Sequence, residues 1–572
     1  MQGDVGEGHY WPLTYSTFWL EHKLWGLAPT GYHVVNILLH FANTTLLWRL
    51  LLRLCVPGAW LVAAVFAVHP LHVESVAWII ERKDVLSALF YLTAVLGWIR
   101  FVEEPRRERY ILVLVLFVAG LLSKSIVVTL PATLLIYHWW QWGRVTQSDL
   151  IRLMPFFLVA LCITAADLSF YTSRELLSLG YSPIERVLIA ARALWFYAGK
   201  LLWPTELAVI YPLWDIGISD PLAWVYVVAC IAVAALLWFG RERLGRGPLA
   251  GVAFFAVTLS PVLGFVDYGY MQFSLVADRF QYLAGIGVMA VLIGSAVHGV
   301  GRLANSFRMG ACGLAVVVLA LFGVMTWQQA GIYRDEISLF SHIVSFNPEA
   351  RGAHLSLALL LAEEDRAEEA RAAARIAVEQ RPYLADAHYY SLGEILRKQG
   401  HHEEAIASYR VVLEIDPEHA LAYAGMGDAL FQLERYEEAL ASLTQAISLQ
   451  SDLPMAARLH VLMGQASQEL GRTKVAAEQY ERALLVEPHN TEALDRLAFV
   501  RFWQKRYEEA LDLYRILIDI GYAKAQNHTN MAASLFYLGR TDEAIENLER
   551  ALSLDPNLES AQTYLKDMRR RH

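Results

Sequence analysis

Cysteine is scarce in this sequence, and the four present, Cys55, Cys162, Cys230 and Cys312, all lie in apolar runs. They read as small buried hydrophobes and mark neither a metal site nor a redox compartment. Positive charge is also in short supply. With 48 basic and 57 acidic residues the net charge is −9, which argues against nucleic acid as a partner. No phosphate-cradling loop, zinc-type Cys/His spacing or Gly-x-Ser-x-Gly elbow occurs. No metal ligand set is read, and a divalent ion is left open.

Apolar residues, by contrast, are abundant. They make up 56% of the 572 residues, too many for an ordinary soluble protein. The excess falls in the first part of the chain, as apolar stretches at 31–54, 58–70, 84–100, 110–122, 125–139, 153–172, 219–239, 248–265, 280–300 and 309–328. Several reach the ~20 residues that a membrane-crossing helix needs. The segments 58–70 and 110–122 are short and fit hairpins or broken helices. Arginines gather in alternate loops, at Arg49 and Arg53, at Arg100 to Arg109, at Arg144 and Arg152, at Arg241 to Arg246, and at Arg302 and Arg308. With those loops cytoplasmic, residues 1–30, 69–83, 173–218 and 266–279 and everything after the last span fall outside. Single cysteines at Ser75 and Ser341 are then expected to label from outside. Residues 186–203 are read as an interfacial amphipathic helix rather than a span, because Arg192 and Lys200 would be costly at mid-bilayer.

The remainder repeats itself. An alanine that follows acidic residues recurs at Ala370, Ala405, Ala439, Ala476, Ala510 and Ala544. Pro382, Pro417, Pro454, Pro488 and Pro556 punctuate the series, and Arg-Tyr-Glu-Glu-Ala-Leu occurs twice. This is the tetratricopeptide pattern, in which a helix pair cannot bury its own apolar face and must stack on neighbours. The negative charge belongs here, since Glu349 to His572 holds 36 acidic and 25 basic residues. The expected fold is all-α, a polytopic helical membrane domain followed by a tetratricopeptide-repeat superhelix. Its parts are 1–330, a linker at 331–349, six repeats over 350–558 and a capping helix at 559–572.

Polar groups at the rims of membrane helices are expensive, which makes them functional candidates. His33, Asn36, His40 and Asn43 share one helical stripe, for interhelical hydrogen bonding or for a ligand. His69, His72, Glu74, Glu81, Arg82, Lys83 and Asp84 crowd one outer loop, which fits an anionic headgroup site or a solvated loop. Lys124 stands alone between apolar runs and calls for a carboxylate, a lipid phosphate or a reach to the interface. Asp278 and Arg279 open another span, where Arg279 either takes a phosphate or pairs with Asp278.

The stretches Trp11–His40, Phe66–Leu92, Leu121–Ser125 and Ala277–Leu283, with the repeats behind them, resemble the transmembrane and tetratricopeptide-repeat protein O-mannosyltransferases. That family is a branch of the lipid-linked-sugar glycosyltransferases of the C superfamily. The resemblance implies transfer of a hexose, mannose, from a polyprenyl-phosphate donor to a protein hydroxyl, with inversion. It implies no other cofactor. The partners it implies are membrane lipid, the lipid-linked sugar and a protein or peptide acceptor presented by the repeats, in a periplasmic or lumenal setting. A carboxylate would act as base, with Asp84 and Glu74 as candidates, although Asp84, flanked by Arg82 and Lys83, is a better positioner than base. His69, His72, Arg82, Lys83, Lys124 and Arg279 would bind donor phosphate or substrate. Replacing Lys124 or Arg279 by Met is expected to weaken donor binding with little loss of fold. The sequence opens inside the loop where the family carries its acidic motif. Asp4 and Glu7 match no such motif, so little transferase activity is expected of the chain as it stands. The rival reading is a membrane-anchored repeat scaffold without catalysis. A ligase or polymerase using lipid-linked oligosaccharide is a third.

Overall fold

The computed structural model describes residues 11–172, 179–350, 352–364, 366–380, 385–450, 455–522 and 524–571. It divides into two compact units, Met1–Arg351 and Gly352–His572. The described residues are helical and turn-like throughout, as the all-α expectation requires.

The first unit is a bundle of α1 (Pro12–Trp25), α2 (Pro29–Arg53), α3 (Ala59–Val68), α4 (Val73–Ala77), α5 (Arg82–Glu103), α6 (Arg107–Leu121), α7 (Leu130–Trp142), α8 (Gln147–Thr172), α9 (Pro183–Leu202), α10 (Pro221–Leu244), α11 (Gly247–Leu259), α12 (Gly285–Val300), α13 (Asn305–Ala330) and α14 (Glu336–Phe346). Among the described residues, five segments are long and apolar enough to cross a membrane: Pro29–Arg53, Ile79–Glu103, Gln147–Ala165, Pro221–Leu244 and Asn305–Tyr333. Helix α9 is not among them. Ala59–Val68 and Pro70–Ala77 form a pair bent by 55°, a broken span or a re-entrant loop. The bend is local chemistry: Pro70 disfavours helical backbone at His69, which is extended at φ −75° and ψ 127°. A second break falls between α6 and α7, where Lys124 is extended and Ser125–Thr129 is a 3-10 turn.

The arginine-bearing loops gather at one end of this bundle. Arg53 pairs with Glu103 at 2.8 Å, and Tyr110 donates to the Arg152 carbonyl at 2.8 Å. Arg246 lies against Gly143, and Gly294 against Pro57. The segments around Glu74, Asp84, Lys124 and Arg279 meet at the opposite ends of the same helices. Residues 331–349, expected as a linker, instead carry a 3-10 turn and α14. Leu339 and Ile343 give that helix a buried face, and the His342 ring bonds the Leu207 carbonyl at 3.1 Å.

The second unit stacks six helix pairs, α15 (Ala353–Glu363) with α16 (Ala367–Gln380), α17 (Ala385–Lys398) with α18 (His402–Ile415), α19 (Ala420–Gln432) with α20 (Tyr436–Leu449), α21 (Ala456–Glu469) with α22 (Thr473–Val486), α23 (Thr491–Trp503) with α24 (Tyr507–Asp519), and α25 (Ala525–Tyr537) with α26 (Thr541–Leu554). A last helix, α27 (Glu559–Arg571), covers the end with Ala561 and Met568 buried. All six alanines of the repeat series are fully buried. Only a methyl fits there, since the helices cross too closely for anything longer. Pro417, Pro488 and Pro556 follow the second helix of their pairs, whereas Pro382 and Pro454 lie outside the described residues.

Ser75 is fully buried, so it cannot report sidedness by labelling. Ile80, 41% exposed on the same rim, and the exposed Ser341 can. Ile80→Cys and Ser341→Cys are expected to react with a membrane-impermeant maleimide from one side of intact vesicles, and Arg302→Cys only after permeabilisation from the other. Reaction of Ile80→Cys and Arg302→Cys from the same side would refute the arrangement.

Candidate functional site

The site is a buried network of ion pairs assembled from three stretches distant in sequence, around 74–84, 124 and 279. Helix α4 and the 3-10 turn Ile79–Glu81 supply Glu74 and Glu81, α5 supplies Lys83 and Asp84, the break after α6 supplies Lys124, and the 3-10 turn Asp278–Gln281 supplies Arg279. Each of these six side chains is buried or nearly so. A charge so placed must be paired, because desolvation costs several kcal/mol per ion.

Arg279 is the hub. Its guanidinium pairs with Glu74, its backbone N–H donates to Glu74 Oε2 at 2.9 Å, and its Nε lies 3.4 Å from Glu81 Oε1. The guanidinium also sits 4.4 Å from the centre of the Tyr270 ring. Lys83 Nζ lies 3.3 Å from Glu81 Oε1 and 4.2 Å from the Trp11 ring centre. Lys124 pairs with Asp84, whose other oxygen accepts from Ser75 at 3.2 Å. Three carboxylates therefore face three cations. One lone pair stays open, as Glu81 Oε2 has no hydrogen-bond partner.

The remaining candidates fall around this network. Arg82 turns away from it, pairing with Glu21 on α1, donating from Nε to Asn36 Oδ1 at 2.8 Å and from Nη2 to the Tyr32 carbonyl at 2.9 Å. It is fully buried and ties α1, α2 and α5 together. His69 bonds the Leu201 carbonyl at 3.1 Å. His72 is buried with neither ring nitrogen bonded, packed edge-on against Phe66 and Tyr282. The polar stripe of α2 does join helices: Asn36 reaches the Val76 carbonyl, His40 the Tyr282 hydroxyl at 2.7 Å, and Asn43 the Val85 carbonyl at 2.8 Å. Asp4 and Glu7 lie outside the described residues.

The alternatives left open at Lys124 and Arg279 narrow. Lys124 takes a carboxylate, and Arg279 pairs with Glu74 rather than with its neighbour Asp278. Asp278 instead accepts from the Tyr211 hydroxyl at 3.0 Å to both oxygens. Burial, and then the nearby Glu74 charge, hold its carboxyl well above the usual carboxylate range. Removing Lys124 or Arg279 therefore strands a buried acid, and little loss of fold no longer follows. Sequence reasoning missed Glu21 and Tyr211. Glu21 carried a signal, a lone acid between apolar and aromatic residues in Trp-Leu-Glu-His-Lys-Leu-Trp, while Tyr211 carried none. Among the described residues no group of three or more His, Cys, Asp or Glu side chains is placed to hold a metal.

A helical bundle with membrane-crossing segments, an intramembrane charge network at one rim and a tetratricopeptide array define the class, a polytopic repeat-bearing membrane protein. Models described as TPR repeat or tetratricopeptide repeat match residues 393–433, 420–453, 461–525 and 525–558. Protein O-mannosyl-transferase Tmtc1 of Drosophila melanogaster is 26% identical, covering 68% of this chain and 56% of that protein. Protein O-mannosyl-transferase Tmtc3 of the same organism is 23% identical over 95% of this chain and 60% of its own length. Human protein O-mannosyl-transferase TMTC1 is 25% identical, covering 75% and 50%. Over most of its length the chain is similar to these transmembrane and tetratricopeptide-repeat protein O-mannosyl-transferases. It spans about half to three fifths of the length of the curated relatives it matches.

Glu74→Gln should cost about 3–5 kcal/mol, because it leaves Arg279 buried and short of its partner. The double variant Glu74→Gln/Arg279→Met should recover part of that loss. Unfolding of the purified protein in detergent measures it, and additive losses would mean that the two groups do not couple. For Asp278 the sign is reversed from a paired carboxylate. A raised native pKa stabilises the fold below the unfolded value, and that contribution is lost as pH climbs. Between about pH 5 and pH 8, Asp278→Asn should therefore gain in Tm relative to the parent. A difference that stays constant with pH would contradict the assignment.

Proposed function

We propose that the chain is a membrane glycosyltransferase that moves mannose from a polyprenyl-phosphate donor to a hydroxyl of a protein acceptor presented by the repeats. The observation that carries this reading is the buried network of Glu74, Glu81, Asp84, Lys83, Lys124 and Arg279. A pure scaffold has no use for six ionisable groups held at the rim of its bundle.

The chemistry needs two services. A serine or threonine hydroxyl attacks the anomeric carbon while a carboxylate takes its proton, and the donor phosphate leaves with the bond's electrons. Basic groups must meet the negative charge that grows on that phosphate. Lys124 and Arg279 are suited to the second task, since a phosphate entering between them would replace a carboxylate contact rather than meet an unpaired cation. The carboxylate so released becomes available as base, and Asp84 and Glu74 stand in that relation to Lys124 and Arg279. Asp278 is poorly suited, because burial and the nearby Glu74 charge favour its protonated form. Arg82, with its donors engaged, positions α1 and α5 instead of binding phosphate.

Radiolabelled mannose transfer to a serine- and threonine-bearing peptide tests the reading in proteoliposomes. Polyprenyl-phosphate mannose should bind the full chain. Where transfer occurs, Asp84→Asn or Glu74→Gln should lower kcat about 100- to 10,000-fold, whichever removes the base. Absence of donor binding and of transfer would leave the scaffold as the better account.

A further inference from the structure

At the arginine end of the bundle, opposite the charge network, α5, α7, α11 and α12 part around a cavity of about 360 Å³. Its floor is closed by Tyr91 and Thr133, whose hydroxyls bond one another at 2.6 Å. Leu51, Val95, Phe254 and Ile286 line its walls. At its mouth stand Gly247, Ser295 and His298, the last two exposed. Arg246 adjoins Gly247, and Arg302 donates to His298 Nε2 at 2.9 Å. Neither Arg246 nor Arg302 has a carboxylate partner among the described residues, whereas Arg53 beside them is paired with Glu103.

The occupant follows from these surroundings. The walls of this cavity are apolar and its floor hydroxyls bond one another, so it offers water few partners and favours an apolar occupant. It lies against α5, which is long and apolar enough to cross the bilayer, and the shorter apolar helices α11 and α12, so an aliphatic chain can reach it without passing through water. The cations at the mouth then select what that chain carries, because basic side chains between membrane helices attract anionic headgroups. We propose that this cavity binds one acyl chain of an anionic phospholipid from the leaflet at the arginine end, with Arg246 and Arg302 holding the phosphate. The site is independent of the transfer chemistry at the opposite rim.

The full chain, purified in detergent and equilibrated with equal amounts of phosphatidylglycerol and phosphatidylcholine of identical acyl chains, is read by native mass spectrometry. Phosphatidylglycerol should be retained preferentially, by about fivefold for each of the two arginines. Arg246→Gln/Arg302→Gln should abolish the preference, and Ser295→Trp, which fills the mouth, should remove the bound lipid of both kinds. Circular dichroism and unfolding verify that each variant is folded. If Ser295→Trp does not fold, the double arginine variant, which alters only exposed side chains, decides alone. Equal retention of the two lipids by the parent overturns the proposal, as does unchanged preference in the arginine variant. A third overturning result is that polyprenyl phosphate, added to the mixture, displaces phosphatidylglycerol and is the lipid lost in Ser295→Trp.

Discussion

The membrane unit depends on one constraint, that no ionised group can be left alone in a medium without water. Arg279 shows how the constraint is met. It reaches across the bundle to Glu74 and Glu81, so the turn that carries it is fixed to α4 and to the start of α5. Asp84 and Lys124 apply the same rule to the break between α6 and α7. Arg82 and Glu21 apply it to α1. Each pair bolts a non-helical or short element onto the long helices, where hydrophobic burial alone cannot specify position. Replacing such pairs by apolar residues need not weaken a protein, so their value lies in geometry as much as in stability.

The same pairing shapes the chemistry. A fully compensated network is electrostatically quiet until an anion of comparable strength arrives. Such an anion competes with a carboxylate already in place, so charge is exchanged rather than added. The broken backbone at His69 and at Lys124 brings polar groups to the rim while satisfying their main-chain atoms, as a membrane interior demands. Irregular structure is thus confined to the places where charge is gathered.

How much of this could be read beforehand follows from the range of each signal. The repeats declare themselves because their buried alanines recur locally, each set by contacts within its own helix pair. The spans declare themselves because an apolar run is its own signature, and even the weak ones at 58–70 and 110–122 became the bent pair and the short helix before the Lys124 break. The ion pairs stayed hidden, since Arg279 finds its partner 205 residues away and Lys124 finds Asp84 40 residues away. No periodicity connects such positions. Residues 331–349 read as a linker because they fall between the last apolar run and the first repeat, yet Leu339 and Ile343 dock one short helix.

Helix α13, like α10, has no fully buried side chain; it meets the bundle through Leu319, Phe322 on the His69 ring, and Thr326, which donates to the Val68 carbonyl at 2.7 Å. The segment Asn305–Tyr333 has 29 residues, about 43 Å of helix against a hydrocarbon layer of about 30 Å. Such an excess is absorbed by leaning, and a helix held through so few side chains can lean while disturbing few contacts. Bilayer thickness therefore acts on α13 by pivoting it about this short line of contacts. In a thin membrane it would slope steeply and in a thick one it would stand more upright, while the charge network keeps its shape.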